Sequence, residues 1–318
     1  MRYLTGKNGR KKRESFMTYH ELYSEACMDL MASGCPEPRS DARELLFFVT
    51  GFDLSSYASR MNEQAPDDIK EKFYRMLARR KAREPVQYIT GTAPFFGYSF
   101  LVSPKVLIPR FDTENLVQEA ISFLRPDSRI LDLCTGSGCI LLTLLAEAGE
   151  MWGAASSVFG CGSDVSEEAL SVARANAARL QLDADFILSD LFDNITGTYD
   201  IITSNPPYIP TPDIRELDPE VQKYEPFSAL DGKDDGLFFY RRIAEEAGTF
   251  LKDGGRLILE IGHDQADAVM KMLAGHHYEE IRCVKDLSGY DRVISACRKE
   301  DADGNNKDTS LQYVGCTE

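Results

Sequence analysis

From Arg129 onward, short apolar runs alternate with helix-periodic stretches, and this alternation constrains the fold more than any other feature. "RILDLC", "SSVFGCGSD", "ADFILSD", "YDIITS" and "GRLILEI" read as strands, too short for helices and bounded by turn residues. Between them "CILLTLLAEAG", "SEEALSVARANAARL", "GLFFYRRIAEEAGTFL" and "HDQADAVMKMLAG" carry helical spacing. "YEEIRCVKD" and "DRVISACR" close the pattern. Such a series buries its strands in a Rossmann-like, mostly parallel α/β sheet with helices on both faces. Ligands of these sheets lie outside the carboxyl ends of the strands, at a topological switch point.

Upstream, the spacing predicts a small all-α domain over residues 17–85. Thr18 and Glu21 stand at capping-box spacing, and Gly34 ends the helix they begin. A second helix runs from Ser40 to Gly51, and a third over 66–84 with acids in its first turn and bases in its last. The basic end of that third helix reads as a docking or solvated face. Residues 86–110, aromatic and broken by Gly and Pro, read as a β-hairpin linker, and residues 111–298 as the α/β domain. The basic stretch 1–16 and the polar tail 299–318 read as disordered.

The net charge of −15 argues against a surface that binds nucleic acid directly by neutralising phosphates. No apolar run is long enough for a membrane span. The eight cysteines are scattered without a Cys-x-x-Cys pair, as expected of reduced thiols in a cytoplasmic protein. Cys134 and Cys139 lack a third ligand, so no metal is expected. His263, in "EIGHDQ", is expected to cap a helix. Oligomeric state is not written in the sequence; a monomer is the default.

"LDLCTGSGCI" is a strand, a glycine-rich turn and a helix. Gly136 and Gly138 let backbone approach a ligand where a Cβ would collide. Asp164 ends the next strand, where a carboxylate can accept hydrogen bonds from ribose hydroxyls. A dinucleotide fingerprint would put a third glycine where Leu141 stands, and the loop is not a P-loop. What remains is a nucleoside ligand without a pyrophosphate, for which S-adenosylmethionine is the obvious candidate.

In "YDIITSNPPYIP", Asn205 follows a strand and therefore lies on the same rim as the glycine loop. Prolines contribute no N–H donors, so the stretch is either a rigid turn or a site offering acceptors only. A planar amide or amino group carries two N–H donors and a delocalised lone pair. The Asn205 side-chain oxygen and the Pro206 carbonyl can each accept one of those donors, and Tyr208 can stack on the plane. No strong base is needed, because the nitrogen becomes acidic as it gains a methyl group. Catalysis is then orientation and electrostatics.

"SNPPYI" after "DLCTGSG" and "SDVSEEAL" resembles class I S-adenosylmethionine-dependent amino-group methyltransferases. With "QYITGTAPFFG", "LIPRFDTE", "YEPFSALDGKDDGL", "LEIGHDQ" and "KDLSGYDRV", the chain from Thr18 to Arg298 resembles the PrmC/HemK family. These are protein-(glutamine-N5) methyltransferases of peptide chain release factors. The resemblance implies that Cys134, Thr135, Gly136, Ser137 and Gly138 cradle the methionine part of the cofactor. It implies that Asp164 binds the ribose, and that Asp190 and Leu191 border the adenine. Asn205, Pro206, Pro207 and Tyr208 would hold the substrate glutamine amide, with Phe100 lining its pocket and Arg110 and Thr113 shaping the cofactor site. The implied partner is a class 1 release factor presenting the glutamine of a Gly-Gly-Gln loop.

Two positions depart from the family pattern. Cys134 replaces a glycine, which requires φ below zero there, and Leu191 replaces an aromatic residue, so adenine stacking should be weaker or come from Phe192. A ribosomal-protein glutamine methyltransferase would share the same catalytic half. An N6-adenine or N4-cytosine DNA methyltransferase also uses an Asn/Asp-Pro-Pro-Tyr/Phe site. Residues 211–236 nevertheless carry eight acids against three bases, which repels phosphates.

Overall fold

A computed structural model describes residues 17–299, so the expectations for 1–16 and for 300–318 lie outside the described residues. The chain divides into two compact units, one ending at Thr90 and one beginning at Gly91.

In the first unit, α1 (Tyr19–Ala32) starts on the expected capping box, with Thr18 and Glu21 each bonding the other's backbone N–H. α2 (Pro38–Thr50) starts two residues before Ser40, because Pro38 at the first helical position has no N–H to leave unpaired. It ends on Gly51 in the left-handed region. A short helix not predicted from the sequence, α3 (Leu54–Arg60), is capped by Asp53, whose Oδ1 accepts from the Ser56 N–H at 2.7 Å. α4 (Asp67–Lys81) has the predicted acidic start and basic end. Its Arg80, however, is buried and bonded to buried Asp41 at 2.7 Å, so it does not belong to a solvated face. Leu22, Leu45, Leu46, Phe73 and Leu77 form the core. α5 (Val86–Thr90) is a helix where the sequence suggested the start of the hairpin. Its Val86 and Ile89 are buried in the helical core, and that packing overrides β propensity.

In the second unit the hairpin is confined to β1 (Thr92–Phe95) and β2 (Tyr98–Leu101). After α6 (Glu114–Ile121) come β3 (Arg129–Leu133), α7 (Cys139–Trp152), β4 (Phe159–Asp164), α8 (Glu167–Leu180), β5 (Asp185–Leu188) and β6 (Tyr199–Ser204). Then follow α9 (Pro219–Tyr224), α10 (Phe238–Phe250), β7 (Leu251–Glu260), α11 (Ala266–Ala274), β8 (Tyr278–Lys285) and β9 (Asp291–Arg298). The sheet order is β5-β4-β3-β6-β7-β9-β8, and β9 alone runs against its neighbours.

Both faces of the sheet are buried, as parallel strands require. Leu131, Leu133, Ile202, Leu257 and Leu259 face one apolar cluster with Tyr240 and Ile243 of α10. The alternate residues Ile130, Ile201 and Ile258 face the other, with Leu116 of α6 and Leu141 of α7. Where a dinucleotide fold would have a glycine on the helix, this chain has Leu141 and complements it on the strand. A Cβ on Gly160 of β4 would lie 3.0 Å from Leu141 Cδ1 and 2.8 Å from Leu145 Cδ1. Among the described residues no helix is long and apolar enough to cross a membrane.

Candidate active site

β3 and β6 are adjacent, paired Asp132 to Thr203 and Leu133 to Ser204. The chain leaves β3 toward β4 on one side and leaves β6 toward β7 on the other, which makes this the topological switch point. A cavity of ≈ 410 Å³ opens there, within the range of small-molecule sites. Its wall takes Cys134, Thr135, Gly136 and Ser137 from the loop after β3, Asp164 from the end of β4, Asp190 and Leu191 after β5, and Asn205 and Pro207 after β6. Arg110 and Thr113 complete it from the segment before α6.

Five residues stand differently from the sequence reading. Phe100 is fully buried, with its ring 6.0 Å from that of Phe95 in the core behind the cavity, because its position on β2 turns it inward. It is not part of the wall of this cavity. Phe192 is also buried and stacks on Phe250 at 4.8 Å, so it is not available to a nucleobase, and Leu191 is the residue that reaches the cavity. Cys134 has φ +56 and not the negative φ expected of a side-chain-bearing residue. The left-handed conformation costs about 1 kcal/mol for a non-glycine residue. Gly138 caps α7 behind the cavity wall, and a Cβ there would meet Leu142 Cδ1 at 3.1 Å and Ala173 Cβ at 3.2 Å. Its smallness serves helix packing. His263 is exposed beside the Tyr290 ring and caps nothing, since α11 begins at Ala266.

The glycine loop is held from below by two carboxylates. Fully buried Asp132 accepts from Thr135 Oγ1 at 2.6 Å and from Thr203 Oγ1 at 2.7 Å, tying the loop to β6. Burial lifts its pKa to about 7, against the pull of the two hydroxyls. Asp164 accepts from the Gly136 N–H at 3.0 Å through one oxygen and from the Ser166 N–H at 2.9 Å through the other. Each oxygen keeps a second lone pair for a ligand hydroxyl. Burial raises the Asp164 pKa, and the backbone N–H groups oppose that rise.

On the opposite wall, half-buried Asn205 donates from Nδ2 to Thr113 Oγ1 at 3.3 Å, so its Oδ1 is the atom left to accept. Pro206 and Pro207 are buried, and Pro207 reaches the cavity. Tyr208 is half-buried just outside the cavity wall, its hydroxyl 3.5 Å from Glu260 Oε1. Its carbonyl accepts from Gln265 Nε2 at 3.0 Å, which fixes the backbone behind the two prolines.

Several site-forming residues escaped sequence reasoning. Glu225 is buried and takes both its oxygens to Arg110 Nη2, at 2.6 and 2.7 Å. That pair holds the segment carrying Pro226, Ser228 and Ala229 as a cavity wall. Burial raises the Glu225 pKa, and Arg110 pulls it back. Ser189 bonds the Leu191 carbonyl at 2.8 Å and sets the turn that presents Asp190 and Leu191. Arg242 bonds Asp190 at 2.6 Å. The motifs "YEPFSAL" and "EIGHDQ" flagged the neighbourhoods of Glu225 and Gln265, but nothing local names their partners.

Residues 21–91 match the PrmC N-terminal domain, and residues 110–215 match the methyltransferase small domain. The chain is 42% identical over 274 residues to the release factor glutamine methyltransferase of Agrobacterium fabrum, covering 84% of this chain and 92% of that one. It is 39% identical over 269 residues to the enzyme of the same name from Cereibacter sphaeroides, covering 84% and 94%. A crystal structure of the release factor-specific protein-(glutamine-N5) methyltransferase of Alicyclobacillus acidocaldarius is 34% identical. It covers 63% of this chain and 100% of that one, with a TM-score of 0.37.

Proposed function

The chain belongs to the release factor glutamine methyltransferases, and from that premise we propose that it methylates N5 of the glutamine in the Gly-Gly-Gln loop of class 1 peptide chain release factors. It is an S-adenosylmethionine-dependent methyltransferase by family. The observation that carries the finer reading is Asn205: at the switch point, its Nδ2 spent on Thr113 and its Oδ1 left to accept.

The cavity residues fit the cofactor. Cys134, Thr135, Gly136 and Ser137 would hold its amino acid part, Asp164 the ribose, and Asp190 with Leu191 the adenine. S-Adenosylmethionine, when bound, supplies an electrophilic methyl group on a cationic sulfur. Asn205 Oδ1 and the Pro206 carbonyl would each accept one N–H of the glutamine amide. That pairing holds the amide plane and turns the nitrogen lone pair toward the cavity. The two prolines keep competing donors away, and the Tyr208 ring would cover the amide plane. No base is required, because the methylated nitrogen is acidic enough to release its proton to water.

A flexible glycine-rich loop suits a site set back behind Arg110 and the segment from Glu225. The acidic chain is a poor match for nucleic acid as a direct partner. The working unit is read as a monomer, and a release factor as substrate would put the enzyme in the cytoplasm.

The test is methyl transfer from labelled S-adenosylmethionine to a purified release factor, to the same factor with Gln→Ala in its Gly-Gly-Gln loop, and to duplex DNA. Label on the intact factor alone, lost with Asn205→Ala, is the expected result. Label on DNA, or on the Gln→Ala factor, would overturn the substrate assignment.

A further inference from the structure

We propose that Asn176 is a positioning residue for the cofactor: its side-chain amide ties the glycine loop to the segment before α6, and so holds two walls of the cavity at the spacing the cofactor needs. The inference rests on the reading of that cavity as the S-adenosylmethionine site.

α8 is the platform under this part of the cavity. Its N-cap residue, Ser166, donates its N–H to Asp164 at 2.9 Å. Its Ala173 packs against Gly138, where an added Cβ would lie 3.2 Å from the Ala173 Cβ. Asn176 follows Ala173 by three residues and so lies on the same face of the helix. It is fully buried, and both ends of its amide are engaged. Oδ1 accepts from the Leu101 N–H at 2.6 Å. Nδ2 donates to the Leu101 carbonyl at 3.0 Å and to the Ser137 carbonyl at 2.9 Å.

Both partners are backbone groups next to the cavity. Leu101 ends β2, where it pairs with Thr92, and the next residue, Val102, donates to the Gly91 carbonyl. The N–H and C=O of Leu101 therefore face away from β1, at the open edge of the hairpin. Asn176 supplies there the donor and the acceptor that a third strand would offer. From Leu101 the chain runs into Lys105, Leu107 and Arg110, which line the cavity, and Ser137 lines it from the glycine loop. The far end of that segment is held by Thr113 on Asn205 and by Arg110 on Glu225. Near its start, Asn176 supplies a buried tie, and Lys105 adds an exposed one to Glu168 of α8 at 3.1 Å. Only an amide offers one acceptor and two donors in a single plane. Exchanging its ends would set NH2 against the Leu101 N–H and oxygen against two carbonyls, so the network also fixes its orientation.

The test is calorimetric binding of S-adenosylmethionine, with hydrogen exchange of the cofactor-free protein measured beside it. Asn176→Ala should weaken cofactor binding about tenfold or more, the scale set by losing one or two hydrogen bonds. The release-factor KM should stay at its wild-type value, and saturating cofactor should restore most of kcat. Amides of residues 101–113 and 134–138 should exchange faster, while those of β6 and β7 keep wild-type protection. Ala177→Gly, at the next position of α8, weakens the helix and leaves the Asn176 amide in place. It should keep both the affinity and the protection of the two segments. A purely structural Asn176 would lower the urea midpoint and leave cofactor affinity unchanged, and that result overturns the proposal. So does an equal loss of affinity in Ala177→Gly. If Asn176→Ala does not fold, Asn176→Asp, which keeps the shape and the acceptor but loses both donors, decides by the same two measurements. A wild-type protein that binds no S-adenosylmethionine sinks the cavity reading and this inference together, whereas wild-type binding that the variants retain sinks the Asn176 role alone.

Discussion

Replacing Gly236 with alanine tests whether the backbone of the Asn-Pro-Pro-Tyr stretch is held from behind. Gly236 has φ +73, and a Cβ there would lie 2.3 Å from the Tyr208 carbonyl oxygen and 2.7 Å from Gln265 Nε2. The left-handed backbone costs an alanine about 1 kcal/mol. Forcing a methyl group into occupied space adds about 1–3 kcal/mol. Pushing Gln265 aside sacrifices its bonds to the Tyr208 and Gly236 carbonyls, at 3.0 and 3.3 Å, worth about 1 kcal/mol each. If the loop holds, the second unit loses about 4–6 kcal/mol. If it yields, the Tyr208 carbonyl moves by roughly an ångström, and kcat falls on the order of a hundredfold.

The single tryptophan, Trp152 on α7, lies in the same unit, so its fluorescence in a urea titration reports that loss, with kcat measured beside it. Gly254→Ala is the control, since Gly254 has φ +71 but nothing within 4 Å of the added Cβ. It should lose only about 1 kcal/mol and keep full kcat. Gly236→Ala behaving as mildly as Gly254→Ala in both measurements would refute the reasoning.

Two further outcomes are expected. Asp132 and Glu260 have folded-state pKa values raised by burial to about 7 from ordinary values of 3.8 and 4.5. Their contribution to stability is fully present below the ordinary values and is lost as pH rises through about 7. Asp235, held low first by its bond to Arg241, acts oppositely and loses its contribution as pH falls below the usual carboxylate range. Urea midpoints should therefore decline from about pH 5 to 8, and Asp132→Asn should flatten that slope; an unchanged slope would count against Asp132. Arg110→Ala leaves Glu225 buried without its cation, but Arg110 is itself 37% exposed, so the loss is about 1–2 kcal/mol. Calorimetry should show cofactor affinity weakened roughly tenfold, and unaltered affinity would mean that the pair does not hold the cavity wall.

The alternation of strands and helices, the capping box at Thr18 and the placement of both motifs at strand ends were legible in the sequence. These features depend on periodicity and on backbone chemistry within a few residues, so local sequence encodes them fully. The exceptions were short elements: α3 spans a single loop between helices, and α5 is a helix because the core takes up Val86 and Ile89.

Only the tertiary structure decided which groups meet. Asn205 bonds Thr113 across 92 positions, and Arg110 bonds Glu225 across 115. Phe100 faces the core and not the cavity because of how the hairpin packs. Cys134 takes φ +56 because its turn must bring Thr135 to Asp132 and the Gly136 N–H to Asp164. A residue's own chemistry says what it can donate or accept; its partner, and hence its orientation and charge state, is set by whatever the fold brings within 3 Å or so.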